Sequence, residues 1–389
     1  MGGLLAAFAM MWGAGPKALA QAPIIRLDGT RVTTAQADAV ILRAMQEARV
    51  PGLGVVIFNH GAIAYANTFG ERDVADHKPF TQDTVVTAAS LTKPVFAVLV
   101  LQLVEQGALD LDRPIVGYLP RPLGEYGRYQ DLAADARSRQ ITLRMLLDHT
   151  SGLPNWRWLT DDSKLRIYYT PGSRFAYSGE GIDLAQLVVE TVTGRPVTDL
   201  MRERVFQPLR MTRTSIIWQP QFEDDYANGY DERGKSLGPQ RRNKPDAAGG
   251  LQTTLHDYAL FVQAVLRGKL LNGKSTAQML APQIRITSAH EFPTLAAETT
   301  LTNDSIRLSY GLGWGLYWSP RGEVFFKEGN DEGWRNYVAC FVAPGSGILI
   351  MTNSSNGEDV YAPLLENLIS DTYTPYEWER FKRAGKARN

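Results

Sequence analysis

Apolar residues recur at helical spacing over 34–48, at Ala37, Val40, Ile41, Ala44 and Ala48, behind the cap-like pair Thr33-Thr34. This pattern predicts an amphipathic helix. After the break at Val50-Pro51-Gly52, the runs Gly54-Val55-Val56-Ile57-Phe58 and Ile63-Ala64-Tyr65-Ala66 flank Asn59-His60-Gly61. Two strand-like runs around a tight-turn composition predict a hairpin. The last third predicts strands over 310–318, 324–327, 336–342 and 347–352, with turns at 319–322, 330–333 and 344–347. A helix over 360–373 closes the pattern. Helical periodicity dominates the middle, over 90–106, 141–148, 180–193, 197–206 and 255–267. Long loops rich in Gly, Pro and Arg, at 120–139 and 231–249, separate these helices, and long loops in a compact enzyme often line its site. The expected architecture is therefore α+β: one antiparallel sheet built from both chain ends and flanked by helices, with a mainly helical lobe inserted. We read a single domain over 34–375, with its α/β part at 34–89 and 305–375 and its mainly helical part at 90–304.

Composition narrows the function. The 389 residues carry 41 basic and 41 acidic side chains and 44% apolar residues. A neutral balance without a basic face argues against nucleic acid as a partner. The basic end, Arg380, Lys382, Arg383, Lys386 and Arg388, reads as solvated. Cys340 is the only cysteine and lies in an apolar run, Tyr337-Val338-Ala339-Cys340-Phe341. It is expected to be a buried structural thiol, with no intrachain disulfide. The five histidines show no metal-ligand spacing, so neither metal nor other cofactor is expected. The apolar stretch 3–15, followed by Ala18-Leu19-Ala20 and Gln21-Ala22, reads as a secretory signal over 1–22. It would direct the chain to the periplasm or outside the cell. It is too short to span a membrane comfortably, and no later segment is apolar enough to do so.

Three local patterns carry candidate chemistry. Ser90-Leu91-Thr92-Lys93 opens the apolar run Pro94–Leu101. On a helix, positions i and i+3 share a face, so the lysine amine can reach the serine hydroxyl. Pro94 falls in the first turn, where its missing N–H costs nothing. A serine there sits at the positive end of the helix dipole, which favours an oxyanion. The hydroxyl needs a base to become nucleophilic, and a lysine serves only if burial or a second cation lowers its pKa. Taken alone, Ser90 could equally be an N-cap. The second pattern is Tyr177-Ser178-Gly179, after the turn at Pro171-Gly172. A phenol near a lysine can shuttle a proton, although a lone loop tyrosine is usually a packing residue. The third is Lys327-Glu328-Gly329 at a strand end, with Gly333-Trp334 following. Glycine there lets a substrate backbone lie along the strand edge, and the lysine offers charge to a substrate carboxylate or to solvent.

Together and in this order, these patterns resemble the serine β-lactamase and penicillin-binding protein superfamily. The similarity is closest to the branch of class C β-lactamases, D-stereospecific peptidases and esterases with a β-lactamase fold. The segments Ile141–Leu153, Phe206–Met211 and Ala248–Thr254 are similar to that branch too. The resemblance implies an acyl-enzyme on Ser90, with Lys93 as base and Tyr177 as proton carrier. It also implies an oxyanion hole from the backbone N–H groups of Ser90 and Asn330. Lys327 would tune Lys93 and Tyr177 and hold a substrate carboxylate. The implied substrate is a small molecule or peptide with an amide, β-lactam or D-amino-acid peptide bond. A carboxylesterase and a slowly deacylating penicillin sensor are the alternatives. Nothing in the residues sets the oligomeric state.

Two positions depart from the superfamily pattern. Gly179 stands where an asparagine is usual, with Glu180 the nearest polar substitute. Glu328 replaces a small hydroxyl residue, and strand alternation predicts that it points away from Lys327. Gly329, Glu180, Trp334 and Trp156 are the substrate-binding candidates. Trp158, Tyr168, Tyr169 and Trp314 could share an apolar acyl pocket or simply pack. His149, in Asp148-His149-Thr150, and the pentapeptide Gly234-Lys235-Ser236-Leu237-Gly238 suggest a Ser-His-Asp hydrolase. The pentapeptide lies in a polar loop with no buried strand before it, so that fold is set aside.

Overall fold

The computed structural model describes residues 23–381. The expected signal over 1–22 and most of the basic end lie outside the described residues. Among the described residues, no helix is long and apolar enough to cross a membrane.

Helix α1 (Thr34–Ala48) begins where the pattern places it. Thr33 Oγ1 accepts from Gln36 N–H, and the Gln36 side chain accepts from Thr33 N–H. That reciprocal pair satisfies two orphan donors at the helix start. The hairpin follows as β1 (Gly52–Asn59) and β2 (Ala62–Asp73), with the short β3 (Lys78–Pro79) beside it. Then come β4 (Val86–Ala89), α2 (Thr92–Glu105), α3 (Gly179–Thr193), β5 (Leu251–Thr253) and α4 (Leu255–Leu266). The chain finishes through β6 (Ile284–Arg285), β7 (Ser309–Tyr310), β8 (Gly315–Ser319), β9 (Gly322–Asp331), β10 (Trp334–Phe341) and β11 (Ser346–Thr352).

Nine strands form one antiparallel sheet in the order β6-β7-β8-β9-β10-β11-β1-β2-β3. The closing contact joins the two chain ends: β11 pairs with β1 from Gly347↔Phe58 to Thr352↔Leu53. This is the α+β architecture expected from the sequence. Both faces of the sheet are covered. Val55 and Ile57 pack with Ile348, Ile350 and Tyr337 against α1 and the helical turns at 361–369. Val56 and Phe58 pack with Leu349 and Val338 against α2 and α4. Two covered faces explain why β1 reads as a continuous apolar run rather than an alternating one. Helix α2 is buried from Thr92 to Leu101, which fits its lack of a polar side.

The differences from the expected elements have local causes. The strand expected over 310–318 is interrupted at Gly311–Trp314. Gly313 there takes φ +83° and lies against Ala97 and the Lys93 carbonyl of α2. The closing helix ends at Ile369 because Ser370 is left-handed, with φ 63°. The structure adds a strand pair, β4 at the end of the 34–89 part and β5 within the helical part, of four and three residues, too short for a periodicity argument to find.

That small pair positions the candidate site. Ala89 pairs with Leu251, which brings the Ser90 turn beside the segment 246–250. Asn336 Nδ2 donates to both the Thr87 and Gly329 carbonyls, at 3.1 and 3.0 Å, tying β4 to β9. Gly329 packs directly on the Ser90 turn, where a Cβ would collide with the Ala88 carbonyl oxygen. Gly329→Ala is therefore expected to destabilise the fold by about 1–3 kcal/mol. Equilibrium denaturation would measure this, and an unchanged midpoint would refute the tight packing.

Candidate active site

Ser90 occupies the turn between β4 and α2. Ala89 before it adopts φ 49°, a conformation unusual for a residue with a Cβ. Surrounding bonds hold it there. Thr92 Oγ1 donates to the Ala89 carbonyl at 2.6 Å and accepts from Leu251 N–H at 3.0 Å. Tyr258 Oη donates to the Leu91 carbonyl at 3.0 Å. One turn on, Lys93 is fully buried. Its Nζ lies 2.9 Å from Ser90 Oγ and 2.7 Å from the Ala248 carbonyl. Asp246 fixes that carbonyl's loop by accepting from Ala248 and Gly249 N–H at 2.7 and 3.0 Å.

Tyr177 is buried with its ring between two amines, 4.8 Å from Lys93 Nζ and 4.5 Å from Lys327 Nζ. The three groups are tuned differently. Burial, reinforced by the Lys327 charge, lowers the Lys93 pKa to about 7. Burial also raises the Tyr177 phenol well above its usual value, with Glu328 and Glu291 adding to the effect and Ser90 opposing it. Lys327 is fully buried too. Burial alone would lower its pKa, but Glu328 outweighs that and raises it, with help from Tyr310 and Glu291. At neutral pH the arrangement thus offers a hydroxyl beside a half-neutral amine, a protonated phenol and a permanent cation.

A cleft of about 920 Å³ opens over this cluster, lined by Ser90, Trp156, Tyr177, Phe292, Glu328 and Asn330 among others. The structure brings Ser90, Lys93, Tyr177 and Lys327 together, with Asn330 at the end of β9 on the cleft wall. Trp156 lies over Gly179, where a Cβ would collide with the indole ring. The indole thereby excludes a side chain at the position where the resembling superfamily carries asparagine. Trp156 stacks on Trp158, centroids 4.8 Å apart, and Trp158 is 60% exposed at the rim.

Four sequence expectations need correcting. Glu180 is not a free substitute for asparagine. It is fully buried and accepts from Arg157 Nε and Nη2, both at 2.8 Å, and from Arg128 Nη2 at 3.2 Å. Burial would raise its pKa, but these arginines hold it below the usual carboxylate range. Trp334 is fully buried against Tyr226 and Gly229, away from the cleft. Gly329 faces the Ser90 turn rather than a substrate. Glu328 does not turn away from Lys327: its Oε1 is paired with Lys327 Nζ. The register explains this. Pairing of β8 with β9 stops at Phe326, so the strand is unpaired on that side from Lys327 onward. Two long side chains can meet across such an edge.

His149 and Ser236 do not form a triad with Ser90. His149 is fully buried, its ring 4.4 Å from that of Tyr177, and Nδ1 accepts from Ser178 N–H at 3.2 Å. Burial, Lys93 and Lys327 lower its pKa well below the usual value, so it packs as a neutral ring that supports the Tyr177 loop. Ser236 is exposed on a short hairpin. Sequence reasoning missed Ala248, Asp246 and Glu291. A backbone carbonyl leaves no residue-type signal, and a lone glutamate in a loop leaves little more.

A family model described as Beta-lactamase matches residues 37–370. The chain is 32% identical over 203 residues to Esterase EstB of Burkholderia gladioli, covering 46% of this chain and 50% of that one. It is 29% identical over 246 residues to a Beta-lactamase of Escherichia coli (strain K12), covering 60% of this chain and 61% of the relative. The match thus spans only half to under two thirds of these relatives. The solved structure of the octameric penicillin-binding protein homologue from Pyrococcus abyssi superposes with a TM-score of 0.70 at 22% identity, over 87% of this chain and 79% of that one. This likeness shows the fold.

The packing of Trp156 on Gly179 leads to a double-mutant prediction. Gly179→Asn alone is expected to cost about 1–3 kcal/mol by displacing the indole. Most of that loss should disappear when Trp156→Ala is added, because the two sites are in contact. Additive losses in chemical denaturation would show that the indole does not set the space at Gly179.

Proposed function

This chain belongs to the beta-lactamase family, and on that ground we propose that it is a serine hydrolase cleaving carboxylic esters through an acyl-enzyme on Ser90. The observation that carries the reading is Lys93 Nζ at 2.9 Å from Ser90 Oγ with its pKa lowered to about 7. A base poised near the working pH combines a large neutral fraction with a useful proton affinity. In this reading, neutral Lys93 takes the Ser90 proton as Oγ bonds to the substrate carbonyl carbon. The backbone N–H groups of Ser90 and Asn330 receive the developing oxyanion, a contribution of a few kcal/mol in acyl transfer. The proton passes from Lys93 to the departing oxygen, with Tyr177 as carrier. Water then attacks the acyl carbon, losing its proton to Lys93. The acyl carbon–Oγ bond breaks as Lys93 returns that proton to Ser90 Oγ, which releases the acid and restores the Ser90 hydroxyl and neutral Lys93.

The high Tyr177 pKa separates the roles. A phenol that keeps its proton at neutral pH serves as donor in the resting enzyme, which leaves Lys93 as the base. Two features support an ester over a β-lactam. No side-chain amide can enter at Gly179, and the Lys93 partner is the Ala248 carbonyl instead. Lys327, the expected carboxylate anchor, is buried and already paired. The name of the Burkholderia relative, an esterase, agrees with this choice.

Ser90→Ala and Lys93→Met should each lower kcat/KM for a p-nitrophenyl ester about a thousandfold or more. Wild-type rates in Ser90→Ala would overturn the acyl-enzyme reading. The pH profile supplies a separate check. Because burial and Lys327 lower the Lys93 pKa, activity should be retained above about pH 7 and fall as the amine protonates below it. A rate that is flat from pH 5 to 9, a window spanning about two units either side of the base, would remove Lys93 from that role.

A further inference from the structure

The cleft wall beyond Phe326 holds more charge than the acyl-transfer chemistry requires. Lys327 is fully buried, and its Nζ is paired with Glu328. Glu328 is only 4% exposed, yet it lines the cleft, whereas Lys327 does not. Glu291 is a second acidic side chain with only 4% exposure, and its Oε1 has no hydrogen-bond partner among the described residues. Burial and the Glu328 charge push the Glu291 carboxyl well above its usual pKa. The order from protein to cleft is therefore cation, then carboxylate.

We propose that Glu328 is the built-in counter-ion of Lys327 and makes the site select acyl compounds with no carboxylate on the leaving group. The inference rests on the acyl-enzyme reading above and names its substrate class. A carboxylate on the leaving group would reach Glu328 before Lys327. To reach the lysine it must break a buried ion pair and leave Glu328 uncompensated, which is strongly unfavourable. A neutral leaving group meets neither cost. Like charge built against the wrong ligand is a common source of selectivity. Other cations at the cleft are engaged in the same way: Arg128 with Glu180 and Asp183, Arg157 with Glu180, and Arg242 with Asp331. Arg121 and Lys244 also line it, but both are exposed, where water screens their charge.

The test compares kcat/KM for phenyl phenylacetate and its meta-carboxyphenyl analogue. Wild type is expected to favour the neutral ester by about tenfold or more. Glu328→Gln removes the repelling carboxylate and leaves the Lys327 amine without its internal partner. A substrate carboxylate can then take that place, and the ratio should shift toward the carboxylate ester by about tenfold, chiefly through KM. Adding Lys327→Met should abolish that shift. Equal wild-type rates on both esters, or a preference for the carboxylate, would overturn the proposal without any variant, so it stays testable even if Glu328→Gln misfolds. A Glu328→Gln variant that changes both rates alike, or a gain that survives Lys327→Met, would overturn it as well. Ser90→Ala separates the two claims. If Ser90→Ala is inactive while Glu328→Gln leaves the ratio unmoved, only the counter-ion role falls. If Ser90→Ala hydrolyses the neutral ester at the wild-type rate, the acyl-enzyme reading falls and takes this inference with it.

Discussion

Two lysine amines approach one buried tyrosine ring, at 4.8 and 4.5 Å from its centre. Burying one ammonium is costly and burying two near each other is worse, because water no longer screens their repulsion. The protein resolves the conflict by treating them unequally. Lys327 receives Glu328 and keeps its proton. Lys93 receives no carboxylate hydrogen bond, only a carbonyl and the Ser90 hydroxyl, and its proton becomes easy to lose. One ion pair thus makes one lysine a fixed charge and leaves the other able to give up its proton near neutral pH.

The scaffold serves that asymmetry. Closure of the sheet by β11 on β1 places β9 at a fixed depth, and Asn336 locks β4 to it. Gly329 lets the strand reach the Ser90 turn without a side chain in between. Asp246 then holds the Ala248 carbonyl against Lys93. The Asn336–Thr87 and Lys93–Ala248 contacts join segments far apart in the chain, so the site depends on sheet and lobe being assembled together.

The departures at Gly179 and Glu328 act on opposite sides of the cleft. On one side an indole occupies the space of a missing amide. On the other an internal carboxylate is paired with the lysine that the resemblance assigns to a substrate anion. Both leave the Ser90–Lys93 pair in hydrogen-bond contact. In the reading proposed above, reaction and substrate preference rest on different residues.

The fold class was legible in the sequence because it rests on short-range periodicity. The cap at Thr33, the apolar run after Ser90 and the two-sided strands each announce an element locally. The i, i+3 spacing of Ser90 and Lys93 was legible for the same reason: one helical turn dictates it. The orientation of Glu328, the capture of Glu180 by Arg128 and Arg157, and the placing of Trp156 on Gly179 were not. Each depends on side chains separated by 23 to 52 positions, as with Arg157 and Arg128 on Glu180, or on where a neighbouring strand stops pairing. The charge states follow the same division. The sequence supplied two lysines and a tyrosine in the right order, but burial and the nearest carboxylate decide which lysine keeps its proton, and only the assembled tertiary structure sets those.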